Sequence, residues 1–309
     1  MTVIKPKLYQ KGLTLRQKGE SVESFRSKTV DYHLLSAHPQ VEVIEIALLP
    51  DSRLVLTPAG SAVETFYILA GQLSYTSQGS DITVKAGDHI VTQTLEEPVI
   101  LTSLSESRLL YVTSQPQFHE ISDMIGQLRN LAIEVEMKDG YTADHCDRLQ
   151  RLSFATGTVM GLNSSSLFLL DFGAYLHDIG KVSIPLDILN KPAKLTTDEW
   201  RVVKEHPTEG RKMLEATFMK EAGKIVEQHH ERPDGSGYPF GLNKNELMIE
   251  AAIVAVADTY DAMTTDRSYR KAMPQSEALE ELNRLVGVHY DKEVVRAFTS
   301  IVGDVDTRG

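Results

Sequence analysis

Five of the ten histidines in this chain stand in an order that chemistry can use. His145, His177, His206, His229 and His230 fall within one stretch of predicted helices, His177 is followed at once by Asp178, and Asp258 lies inside the apolar run EAAIVAVADTYDAM. Imidazole nitrogens and carboxylate oxygens together suit iron, manganese, zinc or nickel. A carboxylate among apolar neighbours, as at Asp258, is costly unless it is paired or bound to a metal. One His-Asp dipeptide carries little weight. The ordered series His, His-Asp, His, His-His, Asp on successive helices is not what unrelated histidines give. The other five, His33, His38, His89, His119 and His289, are scattered and read as ordinary surface or core residues.

The elements that must position these side chains are legible. His177 and Asp178 close the apolar segment LFLLDFGAYLHDIGK, offering nitrogen and oxygen donors from one rigid stretch of backbone. Thr196 with Glu199 forms a capping-box pattern at the start of the helix that leads to His206. His229 and His230 end the helix MKEAGKIVEQHHE. Neighbouring helix positions point about 100° apart, so the two rings can serve different ions or different sides of one. Just beyond them, DGSGYP combines two glycines and a proline, which permits close backbone approach. Phe118, Ile121, Met124, Ile125, Leu128, Leu131, Ala132 and Val135 recur at three- and four-residue steps, predicting one amphipathic helix that enters this half. Such a helix packs on a core, and a signalling or dimerising helix has the same pattern.

The chain has 309 residues, 41% of them hydrophobic and 24% charged, enough for two globular domains. Its one cysteine, Cys146, excludes an internal disulfide framework. No apolar run follows the first lysines, and no stretch has the length of a membrane span, so a cytoplasmic protein is expected. The formal net charge of −11 argues against duplex nucleic acid as a partner, though not against a small anionic substrate. VEVIEIALL, ETFYILAGQLSYTS, DITVKAGDHIVT and VILTSLSESRLLYVTS are rich in β-branched and aromatic residues, and Pro58, Gly60, Gly71, Gly79 and Gly87 punctuate them. That spacing predicts a β-sandwich or barrel over residues 1–115, then a connecting helix over 116–138, then a helical domain over 139–309.

From Asp139 to near Phe298 the chain resembles the HD-GYP phosphodiesterases, a subgroup of the HD phosphohydrolases. The resemblance rests on YTADHCDRL, HDIGK, ILNKPAKLT, KEHPTEG, HHERPDGSGYP and ADTYDAMTTDRSYR, with the GYP signature at Gly237, Tyr238 and Pro239. It implies an all-α bundle with a buried pair of divalent ions, iron or manganese in the first place and zinc or nickel also compatible. It implies cleavage of a cyclic dinucleotide, cyclic di-GMP, to pGpG or GMP. Carried over by position, the ligands are His145, His177, Asp178, His206, His229, His230 and Asp258, with Asp178 bridging and Lys181 on the scissile phosphate. Gly237, Tyr238, Arg267 and Arg270 fall where the substrate is held. Family members with three ions carry a glutamate four residues before the first histidine. Tyr141 stands there, which favours two ions and makes His145 the weakest ligand of the set.

Residues 57–92 resemble the middle of a cupin, through a glycine-rich turn and the step Gly87-Asp88-His89-Ile90. The histidines that metal-binding cupins place before their glutamate are missing in SAVE, where Glu64 stands alone, so no metal is expected there. A cupin-like sensory or dimerising module follows, with a homodimer formed through it or through the connecting helix. Two other functions fit the same residues: hydrolysis of a different cyclic dinucleotide or nucleotide, and a catalytically weak cyclic-dinucleotide receptor.

Overall fold

Alternation of apolar and polar residues builds the first half of the molecule. The computed structural model describes residues 7–10, 13–77, 80–140, 144–266 and 271–306. It divides into two compact units, Met1–Gly126 and Gln127–Gly309. In the first unit the strands are β1 (Lys7–Gln10), β2 (Leu13–Leu15), β3 (Glu23–Arg26), β4 (Val30–His38), β5 (Val41–Leu48), β6 (Arg53–Leu56), β7 (Val63–Ala70), β8 (Gln72–Ser77), β9 (Ser80–Lys85), β10 (His89–Gln93), β11 (Val99–Ser103) and β12 (Ser107–Thr113). A six-stranded antiparallel sheet runs β10-β7-β12-β5-β4-β3, and a four-stranded one runs β6-β11-β8-β9. Ile44, Ile46, Leu48, Phe66, Ile68 and Leu109 of the larger sheet share one core with Leu54, Leu56, Leu73 and Leu101 of the smaller. This is the all-β unit expected from the sequence.

The period of two also turns two carboxylates inward. Glu42 and Glu64 flank Thr113 on neighbouring strands, and all three are buried. Buried carboxylates need donors. Glu64 accepts from Thr92 Oγ1 at 2.8 Å and from the Tyr111 hydroxyl, whose ring stacks on Phe66. Glu42 accepts from the backbone N–H groups of Gln117 and Phe118, both at 3.0 Å. An anion placed there suits the positive start of a helix, and helix α1 (Phe118–Lys138) begins at that point. His89 lies exposed on the face of β10 opposite Thr92, away from Glu64. The predicted amphipathic helix is therefore present as α1, and the division between the units falls inside it.

The second unit is helical: α2 (His145–Val159), α3 (Ser164–Tyr175), a 3-10 turn (Ile179–Ser183), α4 (Leu186–Leu189), α5 (Thr197–Val203), α6 (His206–Leu214), α7 (Ala222–Gln228), α8 (Ile249–Thr264), α9 (Gln275–Arg284) and α10 (Lys292–Asp306). α8 is buried at every position from Glu250 to Ala257, as expected of a helix apolar all round. Leu149 and Leu152 of α2, Leu170 of α3, Ile225 of α7, Leu282 of α9 and Phe298 of α10 surround it. The capping box at the head of α5 is formed, with Thr196 accepting from the N–H of Glu199 and Glu199 from that of Thr196. Among the described residues, no helix is long and apolar enough to cross a membrane.

Candidate metal centre

The histidines converge because each stands at the end of a helix. His145 opens α2 and His206 opens α6. His229 caps the end of α7, and His177 and Asp178 follow directly on α3. Four of the rings, His145, His177, His206 and His229, are buried. His177 Nδ1 lies 3.0 Å from the carbonyl of Ala174, His206 Nδ1 2.7 Å from that of Val203, and His229 Nδ1 2.6 Å from that of Val226. A carbonyl can only accept, so each ring keeps a proton on Nδ1 and, when neutral, presents the lone pair of Nε2 inward. A ligand histidine is commonly fixed in this way.

Two groups of donors result. Asp178, His206, His229 and His230 form one, and Glu136, His145 and His177 form the other. Asp178 stands between them. Its Oδ1 is 3.1 Å from His206 Nε2 and 3.6 Å from His229 Nε2, while its Oδ2 is 3.1 Å from His177 Nε2. Each carboxylate oxygen thus faces a different set of rings. Lys181 Nζ completes the surroundings, 2.5 Å from Asp178 Oδ2 and 2.6 Å from Asp139 Oδ2. Asp258 Oδ1 is 3.7 Å from His145 Nε2, as is Glu136 Oε2.

The electrostatics are those of a site built for cations. Burial pulls His229 down to about 4. Burial would depress His177 as well, but the carboxylates of Asp178, Asp258 and Glu136 outweigh it and push the ring up to about 9. Burial works against ionising Asp178, yet Lys181 and His177 hold its carboxyl well below the usual range. Burial and the charge of Asp178 raise Glu136. Glu136 Oε2, His177 Nε2, Asp178 Oδ1, His206 Nε2, His229 Nε2 and Asp258 Oδ1 are all buried without a hydrogen-bond partner. Unpaired buried polar atoms are rare in folded proteins and ask for a cause. Six in one cluster, all nitrogen or oxygen donors aimed inward, fit divalent cations.

Of the residues named from sequence, His145, His177, Asp178, His206, His229, His230, Asp258 and Lys181 meet here. Tyr238 joins them, its ring stacked 4.7 Å from that of His230. Gly237 has a steric role, since a Cβ there would sit 2.4 Å from Glu231 Cα. Tyr141, Arg267 and Arg270 lie outside the described residues. His229 and His230, which adjacency allowed to serve different ions, both belong to the Asp178 group.

Glu136, Asp139, Glu231 and Asp261 escaped the sequence reading. Glu136 continues the four-residue stripe Leu128, Ala132 along α1, so a carboxylate stands where the pattern calls for an apolar side chain. That was the available signal. Glu231 is buried and accepts from the N–H groups of Phe240, Gly241 and Leu242 at 2.6, 3.2 and 2.9 Å, pinning the loop that carries Tyr238. Replacing Glu136 by glutamine is expected to move two properties in opposite directions. The metal-free protein gains stability, because an uncompensated buried carboxylate costs on the order of 1–3 kcal/mol, while uptake of metal falls. Calorimetric melting of the apoprotein and metal analysis of the reconstituted protein check this, and a lower melting temperature with unchanged uptake would contradict it.

Comparison with known proteins places this half of the chain. The model of the HD domain matches residues 129–294. The chain belongs to the HD-domain family. A cyclic di-GMP phosphodiesterase of Thermotoga maritima is 38% identical over 201 residues, 64% of this chain and 55% of that protein. The cyclic di-GMP phosphodiesterase response regulator RpfG of Xanthomonas campestris pv. campestris is 38% identical over 173 residues, 55% of this chain and 46% of its own. A 3'3'-cGAMP-specific phosphodiesterase of Vibrio cholerae is 35% identical over 169 residues, 54% of this chain and 32% of its own. The HD-domain chain thus spans about half the length, or less, of these curated relatives.

Proposed function

We propose that the helical unit is a metal-dependent phosphodiesterase that opens a cyclic dinucleotide, cyclic di-GMP, to pGpG or GMP. The observation that carries this reading is Asp178, with one oxygen toward each of two groups of buried donors. His206, His229 and His230 would hold one divalent ion with it, and Glu136, His145, His177 and Asp258 a second; the family resemblance favours iron or manganese, and the mixed nitrogen and oxygen donors also suit zinc or nickel. Bound ions of this kind acidify a water and neutralise phosphate oxygens.

The chain's own residues supply the rest. Lys181 keeps an ammonium beside Asp178, placed to meet charge that develops on phosphoryl oxygens. Asp139 holds Lys181 from its other side. Tyr238 forms a flat wall over His230, and Glu231 fixes the loop that bears it. The β unit serves as the sensory or dimerising module of a cytoplasmic homodimer, with its regulatory ligand acting there.

The test is direct. Purified full-length protein, loaded with manganese or iron(II), is incubated with cyclic di-GMP and separately with 3'3'-cGAMP, and products are resolved by chromatography. Appearance of pGpG or GMP from cyclic di-GMP is expected. A second reading, cyclic GMP-AMP as the substrate, draws on the name of the Vibrio cholerae relative and predicts faster opening of that nucleotide. Binding of either without turnover would refute hydrolysis and leave a receptor.

A further inference from the structure

We propose that Asp261 is the positioning residue for His145, and that Arg148 holds Asp261 in the form that does so. The inference rests on the reading of the buried cluster as a metal centre. It begins from an inequality among the ligands. His177, His206 and His229 are oriented by helix carbonyls three residues back, at Ala174, Val203 and Val226. His145 opens α2 as His206 opens α6, but its Nδ1 faces a side chain and not a helix carbonyl. Its acceptor comes from elsewhere in the fold.

Asp261 supplies it. Its Oδ2 lies 2.7 Å from His145 Nδ1, with both side chains buried. Asp258 and Asp261 are three residues apart on α8 and share a face. One helix therefore addresses both nitrogens of the imidazole: Asp261 at Nδ1 and Asp258, 3.7 Å away, at Nε2. Arg148 is placed by the same spacing, three residues after His145 on α2. Its Nε donates to Asp261 Oδ1 at 2.6 Å and its Nη2 to Oδ2 at 2.9 Å, a bidentate fork. A second contact, 3.3 Å from Nη2 to Thr265 Oγ1, fixes the guanidinium at the end of α8. The outer side of Arg148 opens on a cleft lined by Arg151, Tyr260, Thr264 and Thr265, so the cation stays hydrated while Asp261 is enclosed.

The chemistry follows from these contacts. A guanidinium gripping both oxygens keeps Asp261 a carboxylate, which can only accept. The proton of His145 is then confined to Nδ1, and the lone pair of Nε2 is left facing Glu136 and Asp258. Without Asp261 the ring is free to carry its proton on Nε2, where it blocks ligation. An acceptor behind a ligand histidine also makes it more basic, and loss of such a partner typically costs about 10–100-fold in metal affinity.

The experiment uses full-length protein labelled with nitrogen-15 in histidine. In the metal-free wild type, long-range nitrogen–proton spectra are expected to show His145 protonated on Nδ1. Asp261→Ala is expected to shift it toward the Nε2 form. Asp261→Asn, whose amide oxygen accepts the same bond, is expected to retain the wild-type form. In chelator competition with manganese, the alanine variant should lose about 10–100-fold in affinity at the more weakly held site, and the asparagine variant should lose less. Wild-type His145 protonated on Nε2 would overturn the proposal without recourse to any variant. So would a folded alanine variant with unchanged spectra and affinity, which is what a mere tie between α2 and α8 predicts. Failure of the wild type to take up metal would refute the metal centre instead, and the spectra of the metal-free protein would still decide the role of Asp261.

Discussion

Asp178→Asn is expected to abolish hydrolysis of cyclic di-GMP, by more than the ~10²–10³-fold that loss of one oxyanion-stabilising donor costs. The reason is its place at the hub. Three imidazole nitrogens lie within 3.6 Å of its two oxygens, together with the ammonium of Lys181. Asparagine keeps the volume and one carbonyl oxygen but removes the charge that balances those donors, and it offers an N–H₂ where a second acceptor is required. One group loses a member and the other the carboxylate oxygen that faces it, so metal content should fall toward zero along with turnover. Circular dichroism and metal analysis of the variant, beside the product assay, check the outcome. A folded variant with wild-type metal content and activity would place the reaction elsewhere in the molecule.

Gly180→Ala is expected to have the largest effect on stability. Gly180 lies in the 3-10 turn directly after Asp178, and a Cβ there would meet the carbonyl oxygen of His206 at 2.0 Å and the N–H nitrogen of Gly210 at 2.5 Å. Both are backbone atoms that cannot swing aside. Overpacking of this kind costs typically about 1–3 kcal/mol and at times more. For a unit of this size that is a fall of roughly 2–12 °C in melting temperature. The displacement would also separate Asp178 from His206, so metal affinity should drop with stability. Gly126→Ala is the control: within α1 its Cβ would stand 3.5 Å from Phe25, an ordinary contact, and alanine favours the helix. Equal melting temperatures for the two variants would show that the turn yields more readily than its packing implies.

Much of this site was legible in the sequence because its donors come in pairs and at helix ends. The His177-Asp178 dipeptide, the His229-His230 pair, the capping box that precedes His206 and the apolar run around Asp258 each announce themselves locally. The change from strands to helices was equally plain, from alternation on one side of Phe118 and a three- to four-residue stripe on the other. What stayed hidden were carboxylates whose partners are distant along the chain. The fourth residue before His145 is Tyr141, whereas Glu136, one helix earlier, is one of the carboxylates that face His145. Asp261 looked like any polar residue near a helix end until its distance to His145 was known. Glu231 adjoins the histidine pair, yet nothing local shows that its oxygens collect three N–H groups from residues 240–242. Inside the β unit the same holds for Glu42, whose role at the head of α1 depends on N–H groups 75 and 76 residues away.

The carbonyls behind His177, His206 and His229 have a consequence for how the centre fills. Rings tethered in this way have given up their rotamer freedom during folding, before any ion arrives. Freezing a mobile side chain at the moment of binding costs about 0.5–1.5 kcal/mol each, so three rings held in advance spare roughly 3 kcal/mol, or on the order of a hundredfold in affinity. Because each tether is a carbonyl of the helix that leads to the ring, that readiness is inherited with the secondary structure. It survives repacking elsewhere in the bundle, so the centre is poised to capture metal whenever those helices are formed.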